Sequence, residues 1–181
     1  MSDFTEKKIN SQRIYEGKIL NLRRDDVLLP NGKTSKREVV EHNGGSSVLA
    51  IKDGKVLLVK QFRYAVGETL YEIPAGKLEK GEDAKNTAIR ELSEEGGLVA
   101  DDVEFLYAFC PTPAYTEERI YVYFADKFIE GDMHLDENEF LEGEWVDVDL
   151  AYQMTVDGRI KDAKTIIAIQ RYVIDKLKGK F

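Results

Sequence analysis

The sequence predicts a mixed α/β fold in which one sheet packs between helices. Three observations carry that prediction. Short apolar or alternating runs recur along most of the chain in the manner of strands. One central stretch, 83–95, changes to helical periodicity, and a second helical pattern occupies the C-terminal region behind Asp162. A chain of 181 residues suits one domain with a substantial core and not two. No internal repeat, low-complexity tract or linker divides it. The natural subdivision within the single domain is an N-terminal strand hairpin over about 1–43 and a core over about 44–181.

Taken in order, residues 13–42 read as a strand, a Pro30-Asn31-Gly32 turn and a strand returning through Arg37–Glu41. Val48–Ile51 and Lys55–Gln61 flank Asp53-Gly54 as a second hairpin, and Thr69–Ile73 is a short strand stopped at Pro74. The central helix has Asp83 as its N-cap and Ala84, Ala88, Ile89 and Leu92 as its apolar stripe, with Arg90 and the glutamates away from it. Gly96-Gly97 supplies its stop. Strands resume at Val103–Phe109, Arg119–Ala125 and Gly143–Val148. A helix follows Asp149, and a longer one capped by Asp162 runs through Ile174.

Composition narrows the function classes. A hydrophobic share of 43% with 33% charge fits a soluble globular protein, and a net charge of -8 argues against a general nucleic-acid surface. Acidity of that size leaves a phosphorylated substrate open, because a bound metal inverts the local field. Cys110 is the one cysteine, so neither an intrachain disulfide nor a cysteine zinc site can form, which fits a reducing cytoplasm. The start, Met-Ser-Asp-Phe, has no apolar signal core, and no apolar run reaches membrane-spanning length. Cytoplasmic residence is the default expectation. His42 and His134 stand apart without metal-ligand spacing, and Trp145 reads as core or dimer packing.

The central helix is where chemistry concentrates. Glu91, Glu94 and Glu95 fall at i, i+3 and i+4, so three carboxylates crowd one face. Like charges at about 6 Å, with an effective dielectric near 20, cost roughly 2–3 kcal/mol per pair. Something positive belongs among them. For a set of oxygen ligands alone, the fitting partner is a hard divalent cation such as Mg2+ or Mn2+.

The residues Gly76, Glu82, Arg90, Glu91, Leu92, Glu94, Glu95, Gly97 and Leu98 keep the spacing of a known motif: the stretch resembles the Nudix box at all nine specified positions. Gln61-Phe62-Arg63-Tyr64, Glu72-Ile73-Pro74-Ala75-Gly76, and Pro113, 15 residues past Leu98, resemble the ADP-ribose pyrophosphatase branch of that family. So do Pro30-Asn31-Gly32-Lys33 with Arg37-Glu38, and Asp162-Ala163-Lys164-Thr165. The resemblance covers the chain from about residue 10 to 175.

That resemblance implies an α/β/α sandwich with a mixed sheet, and a homodimer whose N-terminal strands cross over to complete the partner's site. It implies Mg2+-dependent hydrolysis of ADP-ribose to AMP and ribose 5-phosphate, with Mn2+ able to substitute. It further implies metal ligation by Glu91 and Glu95, by Glu94 directly or through water, and by the carbonyl of Ala75. Arg90 would orient carboxylates and Glu82 would support the loop–helix geometry through it. The acidic loop around Asp136-Glu137-Asn138-Glu139 resembles the segment that supplies the branch's catalytic glutamate. Glu137 matches best by position and Glu139 is its rival.

Substrate contacts follow in the same way. Arg63 resembles the arginine that meets the phosphates, Glu118 one that holds the terminal ribose region, and Glu72 lies at the site's edge in similar proteins. Arg37 corresponds to a residue that stacks on adenine across the dimer. Ile19 stands where the family often has an aromatic residue, and Pro113-Ala114-Tyr115 replaces a common Pro-Gly-Phe. Two other readings compete: preference for another nucleoside diphosphate derivative such as GDP-mannose, and a non-catalytic ADP-ribose-binding sensor. The sensor class carries a DNA-binding segment and often a degraded box. The intact box and acidic balance speak against it.

Overall fold

The computed structural model describes residues 3–180. The chain forms two compact units. The smaller comprises the chain up to Gly44 together with Cys110–Arg119, and the larger comprises Gly45–Phe109 and the chain from Ile120 onward. The 110–119 segment therefore groups with the N-terminal strands, a partition that no local pattern announces.

In the smaller unit, β1 (Lys7–Glu16), β2 (Asn21–Leu28) and β3 (Thr34–Glu41) form an antiparallel sheet in that order. The expected hairpin is thus a three-stranded meander, because the chain reverses a first time at Gly17. The Gly17 N–H donates to Leu20 O at 3.1 Å, and a Cβ there would stand 2.9 Å from the same carbonyl. The second reversal is the turn read from Pro30-Asn31-Gly32, with Gly32 at φ +80°. Val40 then donates to Tyr115 O at 2.8 Å and accepts from Glu117 N at 3.2 Å, which ties the 110–119 segment to β3.

The larger unit contains β4 (Gly45–Lys52), β5 (Lys55–Arg63), β6 (Glu68–Glu72), β7 (Ala75–Lys77), α1 (Ala84–Glu94), β8 (Leu98–Val99), β9 (Glu104–Phe109), β10 (Ile120–Ala125), β11 (Ile129–Glu130), β12 (Leu141–Asp147), α2 (Val148–Val156) and α3 (Ala163–Leu177). Its seven-stranded sheet runs β12-β5-β4-β10-β9, with β6 on β5 and β7 on β4. The pair β4 and β10 is parallel and the other pairings are antiparallel, so the sheet is mixed.

Alternate residues of β4 point to opposite cores. Val48 and Ala50 pack with Ala88 and Leu92 of α1, while Leu49 and Ile51 pack with Ala151, Met154, Ala168 and Ile169 of α2 and α3. Helices on both faces make this the expected sandwich and explain why β4 is apolar without alternation. Each fully buried aliphatic side chain contributes about 1.5–3 kcal/mol. Trp145 stacks on Phe128 at 6.1 Å between ring centres and belongs to the α1-side core.

Three short strands, β7, β8 and β11, were not expected. Two or three residues carry no readable period, and distant partners decide their pairing. Helix α2 begins at Val148, just before the expected start after Asp149, and Asp147 caps it by accepting from the N–H groups of Asp149 and Leu150 at 2.9 and 3.2 Å. No helix among the described residues is long and apolar enough to cross a membrane.

Candidate active site

The box begins where β6 turns through Pro74 into β7. Val48 N–H donates to Pro74 O at 3.0 Å, and Ile73 N–H donates to Thr165 Oγ1 at 2.9 Å, so sheet and α3 both grip this short segment. The chain then crosses Gly81, at φ +83°, and enters α1 under the Asp83 cap, whose carboxylate accepts from Lys85 N–H at 2.9 Å. Ser46 Oγ donates to Ala84 O at 2.6 Å and fixes the helix start on β4.

Glu91 and Glu95 are buried, which the apolar stripe did not foretell. They extend a strip through Thr87 beside that stripe, and β7 covers it. Gly76 makes the cover possible, since any side chain at this position would collide with the Glu91 carboxyl. Ala75 N–H donates to Glu95 Oε2 at 2.8 Å. Arg90 supplies a positive charge: its Nη1 donates to Glu91 Oε1 and Glu94 Oε2, both at 2.7 Å, and its Nε to Glu82 Oε1 at 3.3 Å. Arg90 thereby crosslinks the loop, the helix and two carboxylates.

The end of the box anchors a second loop. Leu92 and Leu98 are buried, and Gly97, at φ +61°, accepts from Gly131 N–H at 2.8 Å. His134 N–H donates to Glu94 O at 2.9 Å. These bonds lead the 131–140 segment past the helix end. Glu139 there accepts from Gln61 Nε2 at 3.3 Å and bears electrostatically on both Glu91 and Glu95. Glu137 is exposed at the loop tip. A cleft of about 520 Å3 lined by Lys60, Phe62, Leu135 and Phe140 adjoins Glu139. A larger cleft of about 830 Å3, lined by Asp102, Phe124 and Ile129 among others, includes none of the box residues.

Burial pushes the Glu95 carboxyl up to about 8, relieved in part by Ala75 N–H and reinforced by Glu91 and Glu139. Burial raises Glu91 too, with the Arg90 charge pulling it back. Among the described residues, no three His, Cys, Asp or Glu side chains are arranged to hold a metal. Glu91 and Glu94 both accept from Arg90 Nη1, and Glu95 accepts from the Ala75 N–H. The donor set itself fits a hard divalent cation: oxygen atoms only, among them a carboxyl whose burial resists ionisation.

Opposite in sign is a neighbouring group. Arg63 donates to Glu72 from Nε at 2.6 Å and from Nη2 at 2.8 Å, and Lys164 Nζ pairs with the same carboxylate. Burial works against the Glu72 charge, but Arg63 and Lys164 outweigh it and hold the carboxyl below its ordinary value. Both cations also act electrostatically on Glu95. The sequence pattern gives Lys164 no role of its own. The available signal was its place in Asp162-Ala163-Lys164-Thr165, directly inside a helix cap.

The remaining sequence candidates lie in the smaller unit. Ile19 is exposed in the turn between β1 and β2. Arg37, midway along β3, pairs with Glu6 at 2.5 Å. Pro113 lies in the turn where Thr116 N–H donates to Thr112 O at 3.1 Å, and Glu118 Oε1 stands 3.4 Å from His42 Nδ1.

The NUDIX domain model matches residues 42–168, and the model of the nucleoside diphosphate sugar hydrolase N-terminal domain matches residues 6–40. The chain belongs to the NUDIX family. This NUDIX chain is 44% identical over 173 residues to the ADP-ribose pyrophosphatase of Bacillus subtilis (strain 168), covering 94% of each chain. It is also 44% identical over 170 residues to the methanol dehydrogenase activator of Bacillus methanolicus, covering 92% of each. Among solved structures, one described as an ADP compounds hydrolase superposes with a TM-score of 0.83 over 97% of both chains at 19% identity, a likeness of fold. The spacing of Gly76 to Leu98 thus marks a chain with the NUDIX fold.

Proposed function

We propose that this protein hydrolyses ADP-ribose to AMP and ribose 5-phosphate with a divalent cation, Mg2+ or Mn2+. The observation that carries the reading lies within the larger unit. Glu91 and Glu95 are buried under β7, and Glu95 feels the charges of both Arg63 and Lys164. Buried acids near an arginine whose Nη1 edge is unshared among the described residues suit a metal-complexed diphosphate. The 44% identity to an ADP-ribose pyrophosphatase over nearly the whole chain supports ADP-ribose as the particular diphosphate.

Glu91, Glu94 and Glu95, with the Ala75 carbonyl, are the residues assigned to the cation, and Glu139 joins them by its electrostatic reach to two of the three. When bound, the cation neutralises diphosphate charge and acidifies the attacking water. Arg63 binds phosphate oxygen, and Arg90 holds the carboxylates in register. Glu137, exposed at the surface loop tip, accepts the proton that the attacking water loses as its oxygen bonds to phosphorus and the bridging P–O bond breaks. Ile19, Arg37, Pro113 and Glu118 are assigned to nucleoside and ribose recognition on the resemblance alone. We also propose a cytoplasmic homodimer. Ile9, Ile14 and Tyr15 of β1 are exposed, which supports an edge that a second copy covers. Light scattering after size exclusion checks the dimer.

The substrate test is a panel with Mg2+: ADP-ribose, GDP-mannose, NADH, dinucleoside polyphosphates and nucleoside triphosphates. The expected result is a kcat/KM for ADP-ribose about tenfold or more above the others. Preference for a triphosphate overturns the substrate. Stoichiometric ADP-ribose binding without turnover supports a sensor instead.

A further inference from the structure

We infer that Lys164 is a positioning residue for phosphate recognition: through Glu72, it sets the orientation in which Arg63 presents its guanidinium to the diphosphate. The inference rests on the diphosphate-hydrolase reading above and adds to it a residue that neither the box nor the sequence assignments include.

Arg63 has a half-exposed side chain, 41% accessible, on the last residue of β5. A long side chain at such a place samples many rotamers, so a phosphate-binding arginine there needs a fixed partner. Glu72 provides one from β6, which pairs with β5. Two parallel bonds use the Nε and Nη2 edge of the fork, and Nη1 carries no hydrogen bond among the described residues. A bidentate pair fixes the guanidinium plane as well as its position. The free edge is then aimed by whatever fixes Glu72.

Lys164 does that fixing. Its side chain is only 11% accessible, and its Nζ pairs with Glu72 Oε2 and stands 3.1 Å from Asp162 Oδ1. Asp162 is itself immobilised as the α3 cap, accepting from Thr165 N–H at 3.0 Å and from Thr165 Oγ1 at 2.6 Å. Thr165 Oγ1 also receives the Ile73 N–H, one residue after Glu72. Helix α3 therefore clamps both the backbone and the carboxylate of the 72–73 segment. The second cation has an electrostatic use too. A carboxylate shared between two cations keeps a partner when incoming phosphate draws on Arg63, so Glu72 is not left as an unpaired buried charge. With Asp162 counted, the four charges balance, so the anion is met by the unshared edge of Arg63 and not by a surplus of positive charge.

A double-mutant cycle tests the coupling. Lys164→Met, Arg63→Ala and the double variant are compared for ADP-ribose turnover and, by calorimetry with Mg2+, for binding of ADP, whose affinity is read without hydrolysis. Lys164→Met is expected to raise KM and the ADP Kd about tenfold while kcat stays within about threefold. In the Arg63→Ala background the same change is expected to add less than about twofold, because its route is already cut. Lys164→Arg retains most of the affinity. Fully additive losses, or a loss confined to kcat, overturn the inference. If Lys164→Met does not fold, Lys164→Gln carries the same cycle. Should the enzyme prefer another diphosphate to ADP-ribose, the substrate reading falls while the ADP cycle still decides the role of Lys164.

Discussion

Gly76 and Glu91 compete for the same small volume: a Cβ built on the glycine falls within the glutamate carboxyl group. The glycine of the box is thus a steric requirement of its first acid. Gly76→Ala should leave the fold standing, because a side-chain end can swing aside, but it should displace Glu91. A misplacement of about 1 Å costs on the order of a hundredfold in rate, and kcat/KM for ADP-ribose should fall by that much. Steady-state kinetics beside circular dichroism check it, and wild-type turnover in the alanine variant would refute the steric account.

Glu95 is 2% exposed, and burial drives its carboxyl from the usual 4.5 up to about 8. The folded protein holds this proton more tightly than the unfolded chain. Without a cation, the site therefore loses stability as pH rises from about 4.5 to 8. Glu95→Gln keeps an acceptor for Ala75 N–H and removes the charge. At pH 8.5 it should melt a few degrees higher than wild type in chelator, roughly what 1 kcal/mol yields in a domain of this size. Adding Mn2+ should raise the wild-type Tm and leave the variant nearly unmoved. Equal metal responses would remove Glu95 from the ligand set.

Glu137 and Glu139 should separate by readout. Glu139 reaches Glu91 and Glu95 electrostatically and accepts from Gln61, whereas Glu137 is exposed at the tip. Glu139→Gln should weaken Mn2+ binding about tenfold and lower turnover with it. Glu137→Gln should cut kcat at least about a hundredfold with cation affinity intact. Titration of Mn2+ by calorimetry beside kinetics decides, and near-normal turnover in Glu137→Gln would pass the proton-accepting role to Glu139 or to metal-bound hydroxide.

Glu72 makes a pH prediction of opposite sign to Glu95. Arg63 and Lys164 outweigh burial and depress its folded value, so its contribution is present above the unfolded value near 4.5 and lost as pH falls through the lower folded one. The Tm gap between wild type and Glu72→Gln should be widest near neutral pH and should narrow as pH falls below about 4.5 through the lower folded value. A gap independent of pH, seen by scanning calorimetry, would show that shape and not charge matters at this position.

Local features were legible in proportion to how local their physics is. The caps Asp83 and Asp162, the Gly32 turn and the doubly buried run Val48–Ile51 are written in neighbouring residues. The reversal at Gly17, the strand β7 and the Asp147 cap are not legible in the sequence, because short segments carry too little period to outvote their distant partners.

By itself the sequence determined that three glutamates share one helix end, that a glycine and an arginine keep a set distance from them, and that a sheet lies between helices. These follow from spacing along one helix and from apolar patterning. Only the tertiary structure decided that Glu91 and Glu95 are buried under β7, that Glu139 bears on both electrostatically, and that Lys164 meets Glu72 from 92 residues away. Periodicity specifies which face a residue occupies on its own element. Which element then covers that face depends on how the chain returns, and no local pattern encodes that.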